Sequence, residues 1–421
     1  MDQARAGVHP SRSYETIDAP PSFAQRLLLK ALEGIRVGRL DLEVAGRVYV
    51  FGDPEADLQA RVLIRDARAF QAGLIHGEVG LGEAFMAGWW EADDLVSVVR
   101  IAVRNMAAFD QGGGLLAILG KAANRLLHRR RSNHVEGSRQ NIGHHYDLGN
   151  DFYKLWLDPT LAYSCAVYEA PEQGLEAAQV AKFELICRKL QLSPEDHLLE
   201  IGTGWGGFAL HAAKTHGCRI TTTTISQQQY DHARELFERE GLSDRVDLRL
   251  EDYRHLEGQY DKAVSIEMFE AVGLEYYDTY FSAVDRLLKP GGRFLLQTIT
   301  MNERHFPDYI RQSDWIQKHI FPGAELASVS RILASLGRCT TMNLHHLEDI
   351  GLHYAHTLRA WRGAFLAQLD QVRAQGFDET FIRMWDYYLA YCEGAFAERH
   401  IGDAQLLLAK AGGPTQFNEP W

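Results

Sequence analysis

Ten residues, Leu198 to Gly207, LLEIGTGWGG, limit what this chain can fold into. An apolar run ending in a glycine-rich turn reads as a buried strand that delivers the backbone to a helix N-terminus, where small residues let a ligand approach closely. Gly202, Gly204 and Gly207 satisfy G-x-G-x-x-G, the loop pattern that seats a pyrophosphate. Read from Glu200 through Gly202, Gly204 and Gly206, the same letters spell E-x-G-x-G-x-G. A dinucleotide site needs an acid about 20 positions on to grip the ribose. That region is TTTTIS, Thr221 to Ser226, and it holds no carboxylate. Glu200, at the strand's end, suits a cationic or amine-bearing ligand instead. S-adenosylmethionine, with a sulfonium, an amino acid group and a ribose but no phosphate, fits this loop better than NAD.

The surroundings extend the reading. HLLEIGTG, RITTTTIS, YDKAVSIE and GGRFLLQTIT are strand candidates separated by helical stretches such as GFALHAAKTH and QQQYDHARELFEREG. That alternation predicts a doubly wound, mostly parallel sheet. LEDYRHLEGQYDKAVSIEMFEAVG places Asp252 and Tyr253 after the third strand, where one accepts from an adenine amine and the other packs on its ring. The stretch from Tyr354 to Lys410 reads as a mostly helical, aromatic-rich cover over the sheet's active end.

Residues 1–21 read as a flexible leader without the apolar centre of a secretory signal. Residues 22–110 form a small α+β accessory domain: a helix at FAQRLLLKALEGI, a hairpin at GRLDLEVAGRVYVFG, a strand, and a helix capped around Asp93 and Asp94. Residues 111–137 are a linker, glycine-rich and then basic through Arg129, Arg130 and Arg131; residues 138–421 hold the catalytic domain. Basic heads beside the Leu115–Leu127 stretch suit anionic lipid, and equally a solvated linker. A net charge of −12 argues against nucleic acid. Five scattered cysteines without C-x-x-C argue against disulfides or zinc and for a reducing cytoplasm, with no metal expected.

The chain resembles the cyclopropane fatty acyl phospholipid synthases and the related mycolic acid cyclopropane synthases over nearly its whole length. The residues that carry the resemblance are GSRQNIGHHYDLGNDFYKLWLDPTLAYSCAVYE, LLEIGTGWGG, TISQQQ, EDYR, EMFEAVG and DWIQKHIFPG. It implies a class I S-adenosylmethionine-dependent methyltransferase fold, Rossmann-like with a helical cover, behind a small N-terminal domain that engages lipid. The implied reaction adds one carbon from S-adenosylmethionine across the double bond of an unsaturated phospholipid acyl chain. The π-bond attacks the methyl group, and the resulting cation loses a proton as a cyclopropane closes. The alternatives are a methylene- or methyl-branched product, a non-catalytic lipid-binding protein, and, most distantly, an NAD-dependent oxidoreductase. The resemblance also implies peripheral contact with the inner face of the membrane and is compatible with a homodimer.

Matched by motif, the cofactor site would use Tyr163, Ser164, Glu200, Gly202, Gly204, Gly206, Thr224, Gln229, Asp252 and Tyr253. The resemblance also implies a bicarbonate ion as general base, held by Cys165 as a neutral thiol, Glu270, the Ile299 backbone, Tyr354 and a histidine on the fourth strand. Gln297 stands where that histidine is expected. A glutamine donates a hydrogen bond but does not take up a proton, so altered proton handling is expected. Of the later aromatics, including Tyr276, Tyr277, Tyr280, Phe281, Trp315, Phe321 and Trp361, only Tyr354 is expected to function rather than pack.

Overall fold

The computed structural model describes residues 21–107 and 148–412. The leader and the glycine-rich and basic linker, with its Leu115–Leu127 stretch, lie outside the described residues.

The N-terminal unit is a four-stranded sheet in the order β2-β1-β3-β4, built from β1 (Arg39–Val44), β2 (Arg47–Gly52), β3 (Gln59–Ile64) and β4 (Trp90–Ala92). The expected hairpin is β1 and β2, turning through Ala45 and Gly46, both at positive φ. Helices Arg68–Met86 and Leu95–Arg104 pack on this sheet and Phe23–Leu32 packs on Arg68–Met86; the Asp94 side chain caps Leu95–Arg104 by accepting from Ser97 N–H. Helix Arg68–Met86 kinks at Gly77, whose φ of 57° and ψ of −135° lie outside the helical region.

The larger unit holds seven strands: β5 (His197–Ile201), β6 (Arg219–Thr224), β7 (Val246–Leu250), β8 (Tyr260–Ile266), β9 (Leu288–Met301), β10 (Met342–Asp349) and β11 (Ile401–Lys410). Their order is β10-β11-β9-β8-β5-β6-β7, with β11 antiparallel to both β9 and β10 and the remaining pairs parallel. The doubly wound sheet is as expected, and the four strand candidates are β5, β6, β8 and β9. The strand preceding Asp252 is β7, a fifth parallel strand. The C-terminal cover needs correction. Helices Gly351–Ala367 and Glu379–Ala397 are there, but the final ten described strand residues, Ile401–Lys410, enter the sheet between β9 and β10. Seven consecutive buried residues, Asp403 to Ala409, fit a strand covered on both faces.

One apolar core joins the two units. The seam depends on small residues. A Cβ on Gly394 would stand 2.7 Å from Val99 Cγ1, and one on Gly82 would stand 2.5 Å from the Trp315 ring. Arg383 donates to the carbonyls of Phe85 and Trp90, and Arg100 and Arg104 both pair with Glu398. These contacts hold the N-terminal sheet against helix Glu379–Ala397, beside the open end of the larger sheet. No described helix is long and apolar enough to cross a membrane.

Candidate active site

The loop after β5 turns at three glycines, Gly202, Gly204 and Gly206, with φ of 103°, 54° and 93°. These values favour glycine, and Gly206 leads directly into helix Gly207–Thr215. Glu200, on β5, is fully buried; its Oε2 accepts from Thr222 Oγ at 2.5 Å, and Thr222 also pairs with Thr203 at 2.7 Å. The run of threonines in place of a ribose-binding acid thus positions Glu200. Burial pushes the Glu200 carboxyl up to about 8, against the pull of Thr222 and Lys182.

The other cofactor candidates gather around this loop. Thr224 donates to Gln229 Oε1 at 2.8 Å, and Lys182 Nζ donates to Ser164 Oγ at 2.6 Å. Burial pulls the Lys182 ammonium down to about 8, while the acids around it resist. Both oxygens of Asp252 accept from the Arg254 guanidinium, at 2.8 and 2.7 Å, so Arg254 fixes the carboxylate expected to accept from adenine. Tyr163 pairs hydroxyls with Tyr388 at 3.0 Å. Tyr163, Ser164, Glu200, Gly202, Gly204, Thr224, Gln229, Asp252 and Tyr253 all line a single cavity of about 1080 Å³.

The expected anion site differs from its prediction. Glu267, just after β8, has a φ of 48°, which a residue with a Cβ adopts only under constraint. Its N–H donates to the Gln297 carbonyl at 2.8 Å. Its Oε1 accepts from the Cys165 backbone N–H at 2.7 Å and from Gln297 Nε2 at 2.8 Å; its Oε2 accepts from Tyr354 Oη at 2.6 Å. Three of the residues assigned to bicarbonate, Cys165 through its backbone, Gln297 and Tyr354, therefore hold a side-chain carboxylate. The Cys165 thiol takes no part in this, since it donates to carbonyls of Ala166 and Ile350. Burial first, then Asp403 and Glu267, push it well above the usual thiol range, so it is neutral as expected.

The remaining two groups face each other. Glu270 Oε1 accepts from Ile299 N–H at 2.5 Å and from Thr298 Oγ1 at 2.9 Å. Burial, helped by the charge of Glu267, pushes Glu270 up to about 7. Bicarbonate does not fit here as a further ligand. Its donors are engaged, and it would be a buried anion beside Glu267, Glu270 and Asp403. Sequence reasoning missed Glu267, although it lies within the quoted EMFEAVG; the available signal was a carboxylate at the strand's end, where a tight turn favours glycine.

Glu267, Glu270, Ile299 and Tyr354 line the same cavity as the cofactor residues. Cys165 and Gln297 stand behind them, fully buried. From this centre the cavity continues between the units to Leu28, Leu40, Val62, Phe70 and Ile75 of the N-terminal sheet and its helices. Tyr277, Tyr280, Phe281, Trp315 and Trp361 are buried packing residues, as expected; Phe321 and Tyr354 reach the cavity. Among the described residues, Cys187, His211 and His216 bring ligand atoms within 4.8 Å of one another, with Glu184 taking both imidazoles. The fold assembles this cluster from helix Leu175–Leu190, helix Gly207–Thr215 and the C-cap residue that follows it, which spacing along the chain did not reveal.

The mycolic acid cyclopropane synthetase family matches residues 133–406. The chain belongs to this family. It is an S-adenosylmethionine-dependent methyltransferase with the class I fold. It is 38% identical over 367 residues to the cyclopropane-fatty-acyl-phospholipid synthase of Escherichia coli, covering 86% of this chain and 90% of that one. It is 36% identical over 367 residues to a tuberculostearic acid methyltransferase of Mycobacterium tuberculosis, covering 83% and 82%. A mycolic acid cyclopropane synthase complexed with SAH and CTAB superposes with a TM-score of 0.61 at 31% identity, over 65% of this chain and 98% of its own. The two relatives cover more of the chain than that structure does.

Proposed function

We propose that this family member transfers the methyl carbon of S-adenosylmethionine to the double bond of an unsaturated phospholipid acyl chain and closes a cyclopropane. The observation that carries the reading is the single cavity. One end has the glycine loop and Glu200, the middle has Glu267 and Glu270, and the other end is apolar and lined by the N-terminal unit. A cation-facing acid, a carboxylate at the reacting centre and a dry channel are what this chemistry requires. The residues from Tyr163 to Tyr253 would hold the cofactor, with Glu200 facing its charge. Cofactor bound there supplies an electrophilic methyl group.

The N-terminal unit is read as the lipid-engaging part. Ile75 lines the cavity yet is 50% exposed, and Phe23 nearby in sequence to Leu27 and Leu28 is 60% exposed. Apolar residues at a cavity mouth suit contact with a bilayer surface from its aqueous side. Incubation with S-adenosylmethionine and unsaturated phospholipid vesicles should raise the acyl mass by one methylene, with high-field ring protons by NMR. An unchanged acyl mass would reject the reading. The similarity to a tuberculostearic acid methyltransferase favours a second reading, a branched product; vinylidene protons in place of ring protons would establish its methylene form.

A further inference from the structure

We propose that the base removing the proton from the transferred methyl group is the chain's own Glu267 carboxylate, with Asp403 as its proton-carrying partner. This rests on the reaction proposed above, in which alkene electrons form the new carbon–carbon bond as the sulfur–methyl bond breaks. Sulfur keeps that bond's electron pair, and the other alkene carbon becomes a cation. Glu267 then takes a proton from the new methyl group, and the released C–H pair closes the ring onto the cation. Glu267 leaves this step as a carboxylic acid and returns its proton to water when the product departs.

Three observations support the assignment. Glu267 reaches the cavity, and Asp403 lies behind it, fully buried on β11. Gln297 Nε2 donates to both, to Glu267 Oε1 at 2.8 Å and to Asp403 Oδ2 at 3.1 Å, so the two carboxyls share one amide. Two carboxyls this close do not both ionise readily, and Glu267 has the greater share of donors: Cys165 N–H, Gln297 Nε2 and Tyr354 Oη. Burial, then the charge and hydrogen bond of Glu267, hold Asp403 well above the usual carboxylate range. Asp403 is thus held as the neutral acid behind Glu267. The other titratable groups around them are Lys182, Glu270, Cys165 and Tyr388. Holding Glu267 at positive φ is a local cost met by its N–H bond to Gln297 and its three donors.

The test compares variants of the full chain on unsaturated phospholipid vesicles, with S-adenosylmethionine binding measured separately. Glu267→Gln should lower turnover at least ~100-fold while leaving cofactor affinity within about threefold. Glu267→Gly removes the strained Cβ and the carboxylate together, and added bicarbonate or formate should restore its turnover. Asp403→Asn, which keeps a neutral donor, should lower kcat far less than Glu267→Gln, and Asp403→Val should lower it more than Asn does. Turnover of Glu267→Gln within threefold of the parent overturns the proposal, as does loss in Glu267→Gly that neither anion repairs. Equal losses in Asp403→Asn and Glu267→Gln would overturn the division of roles. Absence of product from the parent chain would instead reject the proposed function.

Discussion

Glu200 and Glu267 look into one cavity from neighbouring strands, β5 and β8, and the protein treats them differently. Glu200 is held by the strand beside it, through Thr222 across the β5–β6 pair. It has one short side-chain hydrogen bond and is otherwise desolvated, a setting that favours a positive neighbour. Glu267 is held by groups from residues 165, 297 and 354, with Asp403 behind them, and its oxygens are already engaged. An acid short of partners suits binding charge. One whose position is fixed from several sides suits removing a proton at a defined point.

This contrast orders the expected effects. The largest is on turnover: Glu267→Gln should lose ~10²- to 10⁴-fold, the usual worth of a general base. Steady-state assays at saturating cofactor measure it. The comparison breaks if Glu200→Gln, assayed likewise, shows the same loss. Next, Glu200→Gln should weaken S-adenosylmethionine binding by about 2–5 kcal/mol, ~30-fold or more, because the ligand's charge is left facing an amide. Isothermal titration reads this directly.

A smaller effect concerns pH. Burial pushes Glu200 up to about 8, and a cationic ligand prefers its ionised form. Binding below that pH must therefore expel a proton. Affinity should rise by up to ~tenfold per pH unit toward about 8 and then level off. For the free protein the sign is reversed: its raised acid binds protons that the unfolded chain does not, so this group's contribution to stability falls as pH rises from about 4.5 to 8. The thermal shift produced by S-adenosylmethionine should accordingly grow over that range, and a flat shift would separate Glu200 from the ligand's charge. Smallest is Gly394→Val, which drives a side chain into Val99. It should cost about 1–3 kcal/mol by overpacking, read as a lower Tm, and leave cofactor affinity nearly unchanged if the seam serves the lipid end of the cavity.

What was legible in the sequence follows the same division. The loop, Glu200 and the threonine strand are contiguous or one βαβ unit apart, and apolar periodicity with glycine spacing exposes that arrangement. The hairpin and the Asp94 cap are equally local. Resemblance named Cys165, Glu270, Ile299 and Tyr354 as one group, with Gln297 in the place of an expected histidine, and the fold brings Cys165, Gln297 and Tyr354 together around one carboxylate. It could not reveal that their common partner is Glu267, because that depends on a positive φ at one residue and on donors far away in the chain. β11 was hidden for a related reason. Its apolar run follows a long helix with little punctuation, and periodicity alone does not separate a buried strand from a buried helix.

The place of β11 has a consequence for how the enzyme comes into being. Asp403 is on β11, the last of the described strands in chain order, yet that strand inserts between β9 and β10, both earlier in the chain. The glycine loop and Glu267 precede in the chain the acid proposed to stand neutral behind Glu267. A nascent or clipped chain lacking residues 401–410 would retain the glycine loop but leave β9 and β10 unbridged and Gln297 without its second acid. On the mechanism proposed above, catalytic competence is tied to completion of the sheet, and loss of β11 should abolish turnover before it abolishes cofactor binding.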